Sequence, residues 1–248
     1  MPEPVLRNSP LSSVFCEVRF EATSLDSSAI LRLNDQLALT GLTQYSDEQG
    51  MQIAVRPGQL QQTPIKRHRF ASADGSEALT LDANAFAFEV AVYGGIDSFL
   101  EAWMPVARAA GEALGLESRT RIGLRYVNEL PLSGDTRDAV AEAIKSELLP
   151  PWAAQEHLQQ LSVSLHELRF GQPEGELTFR HGMQRAAPGA RPVYLLDFDH
   201  YEQRLRAFDV DDDEQRLRRF NDVLYNVFRW SITDAQYQDF DPEERPDA

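Results

Sequence analysis

The chain has 248 residues, of which 42% are hydrophobic and 25% are charged, a composition typical of a folded protein with one large domain or two small ones. Its formal net charge of −15 repels nucleic-acid phosphates and anionic membranes, so we expect neither strong nucleic-acid binding nor membrane binding. Cys16 is the only cysteine, and neither a membrane-length apolar run nor a basic, apolar leader is present, which together indicate a cytoplasmic protein without an internal disulfide.

The first half of the chain predicts a strand, a helix and then several short strands. Val14–Phe20 alternates apolar and polar residues, the period of a half-buried strand. Asp26 or Ser27 can cap a helix over residues 28–39. Further strands are predicted at residues 51–55, 65–71, 77–81 and 86–93, with turn signals between them.

A second helix with an internal proline closes this half. Ser98 and Glu101 have the spacing of a capping box, in which each side chain satisfies a free backbone amide. We expect the helix to run to about Leu114 and to end at Gly115. Pro105 lies inside it, which predicts a kink or a later start.

The second half repeats this order of elements. A strand is predicted at Arg121–Leu130, where Ile122, Leu124 and Tyr126 alternate with the residues of the other face. It is followed by a helix over residues 138–149, strands at 161–170, 176–183 and 192–201, and a helix over 213–231.

The repeated order predicts an α+β fold of two tandem strand–helix–antiparallel strands–helix units, residues 1–120 and 121–233. Joined edge to edge, the units form one continuous curved sheet with helices on one face, a topology similar to that of TATA-box-binding-protein-like folds. This likeness implies no function. A single irregular α+β domain is the alternative, because the halves share no residue-level identity. Residues 234–248 are acidic and contain proline, which predicts a partly disordered tail.

Asp197 and Asp199 are the best candidates for a metal site. In a strand, residues at this spacing project from the same face roughly 7 Å apart. Two carboxylates so placed can hold a divalent cation for phosphoryl transfer. The chain lacks the glycine-rich phosphate-binding motifs, and no cofactor is predicted. The alternative is that both aspartates pair with arginines or loop amides.

Arg121, Arg125, Tyr126 and Asn128 form a second candidate site, for ligand binding. Arginine and aromatic side chains on a sheet face can bind a nucleotide or a phosphate. The alternative is that the arginines neutralise neighbouring carboxylates. The deciding observation is whether these arginines and the two aspartates converge in one cleft.

Three short segments resemble an uncharacterised, sporadically distributed bacterial protein family of similar length. They are Asn8-Ser9-Pro10-Leu11 before the first strand, Gly123-Leu-Arg-Tyr-Val-Asn128 in the central strand, and Leu196-Asp-Phe-Asp-x-Tyr201 late in the chain. The resemblance implies a soluble prokaryotic protein, and a patchy distribution suits an accessory-genome role such as defence or a toxin–antitoxin locus. The family has no known activity, so it supplies no catalytic residues.

No complete catalytic motif is present, so the sequence favours a non-enzymatic binding or adaptor protein over an enzyme. Its acidic character favours a basic protein partner. Self-association through sheet edges or aromatic helices is a further possibility for its binding. The alternative function is a metal-dependent nucleotide-binding protein or phosphoryl-transfer enzyme that uses Asp197 and Asp199.

Overall fold

The computed structural model describes residues 4, 6–23, 25–56, 59–134, 137–149, 161–187 and 190–243, with only the backbone for 49–56 and 59–65. Within these residues the chain is an α+β protein with eleven strands and five α-helices. The strands are β1 (Leu11–Arg19), β2 (Gln44–Arg56), β3 (Gln59–Ala71), β4 (Glu77–Asp82), β5 (Ala85–Val90), β6 (Ser118–Arg119), β7 (Arg121–Pro131), β8 (Val163–Gln172), β9 (Gly175–Gln184), β10 (Val193–Glu202) and β11 (Arg206–Ala207). The helices are α1 (Ser27–Ala38), α2 (Ile96–Leu114), α3 (Arg137–Ala143), α4 (Val210–Ser231) and α5 (Asp234–Asp239).

Nine strands form one antiparallel sheet in the order β2-β3-β4-β5-β1-β7-β10-β9-β8. The first strands of the two halves, β1 and β7, lie side by side at its centre, with Val14 opposite Tyr126. The α+β class predicted from the sequence is confirmed. A separate two-stranded sheet pairs β6 with β11.

The hydrophobic core lies between one face of the sheet and the helices. In β1, Val14, Cys16 and Val18 are fully buried and alternate with partly exposed residues. The helices bury matching apolar stripes, among them Ile30, Leu33 and Leu37 of α1, Phe99 and Trp103 of α2, and Leu217, Phe220 and Leu224 of α4. All of these side chains belong to one cluster that spans both halves of the chain.

Local capping signals predicted one helix start correctly and one wrongly. Asp26 caps α1, because its carboxylate accepts a hydrogen bond from the Ala29 amide at 2.8 Å. The capping box at Ser98 is wrong, because α2 already begins at Ile96 and Gly95 caps it without a side-chain bond.

Pro105 lies inside α2 and does not delay its start. The helix continues through it to Leu114, so the predicted later start is wrong. Gly115 caps the end with a left-handed backbone (φ 63°), as predicted. The lost amide of one proline is tolerated here because the flanking turns bury Trp103, Val106 and other core residues.

The end of α3 departs from prediction for a tertiary reason. The helix stops at Ala143 rather than near residue 149, and a short 3-10 turn follows at Ser146–Leu148. Ile144 forms a β-bridge with Ile232, and the Lys145 amide donates to the Ser231 carbonyl. This pairing with the end of α4 needs an extended backbone, which a continuous helix cannot supply.

The first residues of the predicted acidic tail form a short helix. Residues 234–239 form α5, capped by Thr233, and the ring of Phe240 is buried against Phe228 with 6.2 Å between centroids. Residues 244–248 of the tail lie outside the described residues.

Candidate functional site

The face of the sheet opposite the core, here called the open face, carries the sequence-predicted charges. In β1 the side chains of Phe15 and Glu17 point to this face, because they alternate with the buried core residues. The same alternation in β10 puts Phe198 in the core and Asp197 and Asp199 on the open face. Strand register then aligns charged residues of β1, β7, β10, β9 and β8 across the sheet.

Five charged residues form a continuous row of ion pairs, here called the central ladder. Arg125 donates from Nε and Nη2 to the two carboxylate oxygens of Asp197 at 2.7 and 2.8 Å. Arg180 bridges Asp197 at 3.4 Å and Glu167 at 2.8 Å. Arg169 donates to the other oxygen of Glu167 at 2.9 Å. The ladder therefore crosses four neighbouring strands with alternating charge.

The hydrogen bonds of the central ladder hold its charges in place. The bonds from Arg169 and Arg180 lower the pKa of the Glu167 carboxyl, and the bond to Asp197 raises the pKa of Arg125. Asp197 is 3% exposed, whereas Arg125 is 45% exposed. The carboxylate is thus buried beneath guanidinium groups that still reach solvent.

A second set of ion pairs, here called the Arg121 cluster, lies beside the ladder. Arg121 donates to Glu17 and, at 2.9 and 3.0 Å, to both oxygens of Asp199. Arg19 donates to the same Glu17 oxygen at 2.7 Å. Burial raises the pKa of Asp199, and the nearby Arg121 opposes that rise.

Gly123 makes the position of Arg121 possible. The Arg121 guanidinium lies 4.4 Å from the centroid of the Tyr201 ring, a cation–π contact. A Cβ atom at Gly123 would lie 2.9 Å from Arg121 Nη1 and 3.0 Å from the Tyr201 Cβ. The absence of a side chain at this position lets the arginine fold across the strand.

The two aspartates proposed for metal binding each have an arginine partner. Asp197 binds Arg125 and Arg180, and Asp199 binds Arg121. Among the residues that the structure describes, no group of three or more histidine, cysteine, aspartate or glutamate side chains could hold a metal ion. A cation at this position would have to displace guanidinium groups from both carboxylates.

The four residues proposed for ligand binding lie on opposite faces. Arg121 and Arg125 belong to the open face, whereas Tyr126 and Asn128 are buried on the core side. Tyr126 donates to the Asn221 side-chain oxygen in α4 at 2.6 Å, and Asn128 donates to a backbone carbonyl of β10 at 3.2 Å. The structure therefore brings the two arginines together with the two aspartates but not with this tyrosine and asparagine.

The open-face network has a different charge balance from the rest of the chain. The ladder and the Arg121 cluster together contain five arginines and four carboxylates, a net charge of +1. Because the whole chain carries −15, the remaining residues carry −16. The network is thus a nearly neutral, arginine-rich part of the open face on an acidic protein.

Five members of this network were missed from sequence as site residues: Glu17, Arg19, Glu167, Arg169 and Arg180. A signal for two of the pairs was present, because Glu17 and Arg19, like Glu167 and Arg169, place opposite charges two residues apart in a strand. Such spacing puts both side chains on one face. The partners across β7 and β10 depend on the register of strands that are distant in sequence, which no local pattern contains.

A second ionic cluster, here called the buried cluster, lies between the small sheet and the start of α4. Arg119 is fully buried and donates from Nε to both oxygens of Asp213 at 2.8 and 2.9 Å. It also donates to Glu202 at 3.2 Å, and Arg216 lies 3.6 Å from the same carboxylate. These bonds join β6, the end of β10 and α4.

Comparison of the chain with protein-family models, with curated proteins and with solved structures found no significant match. Among the described helices, none has both the length and the apolar composition that a membrane span requires.

Proposed function

We propose that this chain is a non-enzymatic binding or adaptor protein that docks a protein partner on the open face of its sheet. The observation that carries the proposal is the central ladder, in which partly exposed arginines are held over a buried carboxylate. Guanidinium groups fixed in this way lose little side-chain entropy when they meet a partner, which favours their use in recognition.

The charges of the molecule indicate the kind of partner. The acidic remainder of the chain attracts a partner with a basic surface over long range. At contact, Arg125, Arg169 and Arg180 present donors that suit carboxylates or backbone carbonyls of that partner. Such mixed chemistry fits a folded protein surface better than the uniform charge of a nucleic acid.

A duplicated, TATA-box-binding-protein-like topology is part of this proposal. It is supported by the strand order, which runs outward from β1 as β5, β4, β3 and β2 and from β7 as β10, β9 and β8. A sheet assembled in this way is long and leaves one broad face for a partner. A cytoplasmic location is also proposed, and it is supported by the buried single thiol of Cys16, whose pKa is raised by burial.

The proposal is tested by affinity capture from the native host with two matched variants. Val127 is half-buried on the open face, opposite Asp197 and Ser13, so Val127→Lys adds a long cation at the centre of the proposed surface. Val92, 80% exposed beyond β5, receives the same substitution as a control. We expect wild type and Val92→Lys to recover a stoichiometric partner and Val127→Lys to lose it. Capture of the same proteins by all three, or of none, contradicts the proposal.

The alternative of a metal-dependent nucleotide-binding protein or phosphoryl-transfer enzyme remains a prediction that calorimetry can decide. It is favoured only by the two carboxylates on one face of β10, and their arginine partners oppose it. Titration of Mg²⁺, Mn²⁺ and common nucleotides into wild type and Asp199→Ala should give no heat in either. Heat that appears with wild type and disappears with Asp199→Ala would replace the binding proposal.

A further inference from the structure

Strand β8 is an edge of the sheet with unusual apolar exposure. It pairs with β9 on one side, and no described strand lies on its other side. Four of its ten residues, Val163, Leu165, Leu168 and Phe170, are large hydrophobic side chains between 36% and 57% exposed. Long edge strands with exposed apolar side chains are templates for pairing with another chain.

The backbone of β8 shows which residues can pair outward. The Ser162 carbonyl accepts from the Arg185 amide of the neighbouring chain segment. Since hydrogen-bonded pairs alternate along an antiparallel ladder, the even-numbered residues of β8 bond to β9. The odd-numbered residues, from Val163 to Gly171, therefore point their amides and carbonyls away from β9, to the side where no described strand lies.

We propose that β8 pairs with β8 of a second copy of this chain, in an antiparallel register centred on Leu168. A two-fold axis perpendicular to the sheet places each residue opposite one of the same parity, so helices of both copies stay on one side. With Leu168 at the centre, Glu167 of each copy lies opposite Arg169 of the other. The pairing extends the nine-stranded sheet to eighteen strands.

Charge selects this register over its neighbours. A centre at residue 167 would put the two Glu167 carboxylates opposite each other, and a centre at 169 would do the same for the two Arg169 guanidinium groups. Opposed like charges destabilise a strand pair, whereas opposite charges stabilise it. The Leu168 register also sets the exposed Leu165 opposite Gly171, where there is room for it.

The proposal concerns a different surface from the middle of the open face, although Glu167 and Arg169 belong both to the central ladder and to the β8 register. Its interface is the edge of β8, while the Val127→Lys variant changes the middle of the sheet. Val127→Lys and cysteine substitutions at Leu168 and Phe170 all leave the ladder charges unchanged, so these variants distinguish a failure of one proposal from a failure of the other.

Single added cysteines test the register directly, because the native Cys16 is buried. Leu168 would face its copy as a non-hydrogen-bonded pair, with Cα atoms about 4.5 Å apart, within disulfide range. Phe170→Cys is the control, since its copy would lie four residues away along the strand, roughly 13 Å. Under mild oxidation we expect a covalent dimer from Leu168→Cys and none from Phe170→Cys, and a dimer again when His166→Cys and Phe170→Cys are mixed. No dimer from Leu168→Cys, or equal dimer from both single variants, overturns the proposal.

A charge exchange gives a second readout that needs no oxidation. Arg169→Glu and Glu167→Arg each place like charges opposite one another, so each alone should associate about tenfold more weakly than wild type in sedimentation experiments. An equimolar mixture restores opposite charges in every pair and should recover the dimer. Circular dichroism checks that each variant is folded. A wild-type monomer at all concentrations, or a mixture that behaves like its components, contradicts the register.

Discussion

The buried cluster and the central ladder are both networks of arginine and carboxylate side chains, but they differ in how far their arginines are exposed. This difference shows how burial decides what such ion pairs can do. In the buried cluster, Arg119 and Asp213 are 0% and 1% exposed. In the central ladder the Asp197 carboxylate is equally buried, but its partner Arg125 is 45% exposed. The first network can only hold elements together, whereas the second also presents donors to solvent.

The buried cluster gives the largest expected effect on stability. Arg119→Met removes the cation and leaves the buried Asp213 with Arg216 at 3.9 Å as its nearest cation, whereas Glu202 keeps Arg206 at 2.9 Å. Loss of one partner of a buried ion pair costs about 3–5 kcal/mol of unfolding free energy. Chemical denaturation monitored by circular dichroism measures it.

Arg108→Met is the matched control for that substitution. Arg108 and Asp211 form an ion pair of 2.6 Å in which both side chains are well exposed. Exposed pairs contribute about 1 kcal/mol or less. Equal losses of unfolding free energy for Arg119→Met and Arg108→Met would show that burial does not determine how much an ion pair stabilises this protein.

Acid sensitivity between pH 6.5 and 4 should come from buried histidine rather than from either network. His200 is 2% exposed, packs on Phe220 with 4.2 Å between centroids, and has no hydrogen-bond partner on either ring nitrogen within the described residues. Burial lowers its pKa to about 4. In the unfolded chain His200 binds a proton below about pH 6.5, whereas in the folded protein it stays neutral down to about pH 4. The free energy of unfolding therefore falls as the pH falls through this window.

The expected loss from His200 is about 3 kcal/mol at pH 4 relative to pH 7. Denaturation midpoints of wild type and His200→Phe across this range measure it. The variant should lose stability less steeply, with the remaining slope partly due to His181, whose pKa burial also lowers to about 4. If the stability of the two proteins falls equally with pH, His200 is not the source of the acid sensitivity.

Within the open face, the free energy of unfolding lost when an arginine is removed should depend on how buried its carboxylate partner is and on which other arginines still bind that carboxylate. Arg125→Ala leaves the buried Asp197 with Arg180 alone at 3.4 Å, an expected loss of about 1–3 kcal/mol. Arg19→Ala removes a half-exposed end group from Glu17, which keeps Arg121, and should cost less than about 1 kcal/mol. Thermal unfolding of the two variants compares them, and a larger loss for Arg19→Ala would contradict the grading.

The sequence predicted much of the fold because most of its signals were periodic or local. Alternation along β1, β7 and β10 correctly separated core residues from the charged face, and Asp26 predicted the start of α1. Tertiary pairing overrode local pattern elsewhere, as at Ile144, where a bridge to Ile232 ends α3 early. The short β6–β11 pair has no periodic signal at all.

The candidate site was only partly predictable for the same reason. Asp197, Asp199, Arg121 and Arg125 were recognisable as charged residues on strands, and arginine pairing was one of two readings of the aspartates. The choice depended on the register of β7 against β10, which sets Asp199 opposite Arg125 and lets Arg125 reach back to Asp197. Register is set by contacts between distant segments.

Photo-crosslinking at the centre of the open face tests the central claim most directly. A photoreactive benzoylphenylalanine replaces Val127 in one variant and the exposed Val92 in another, and both are irradiated in the native host. We expect one discrete covalent adduct with another protein from position 127 and none from position 92. No adduct from position 127, or the same adducts from both positions, would contradict a partner-binding role for this face.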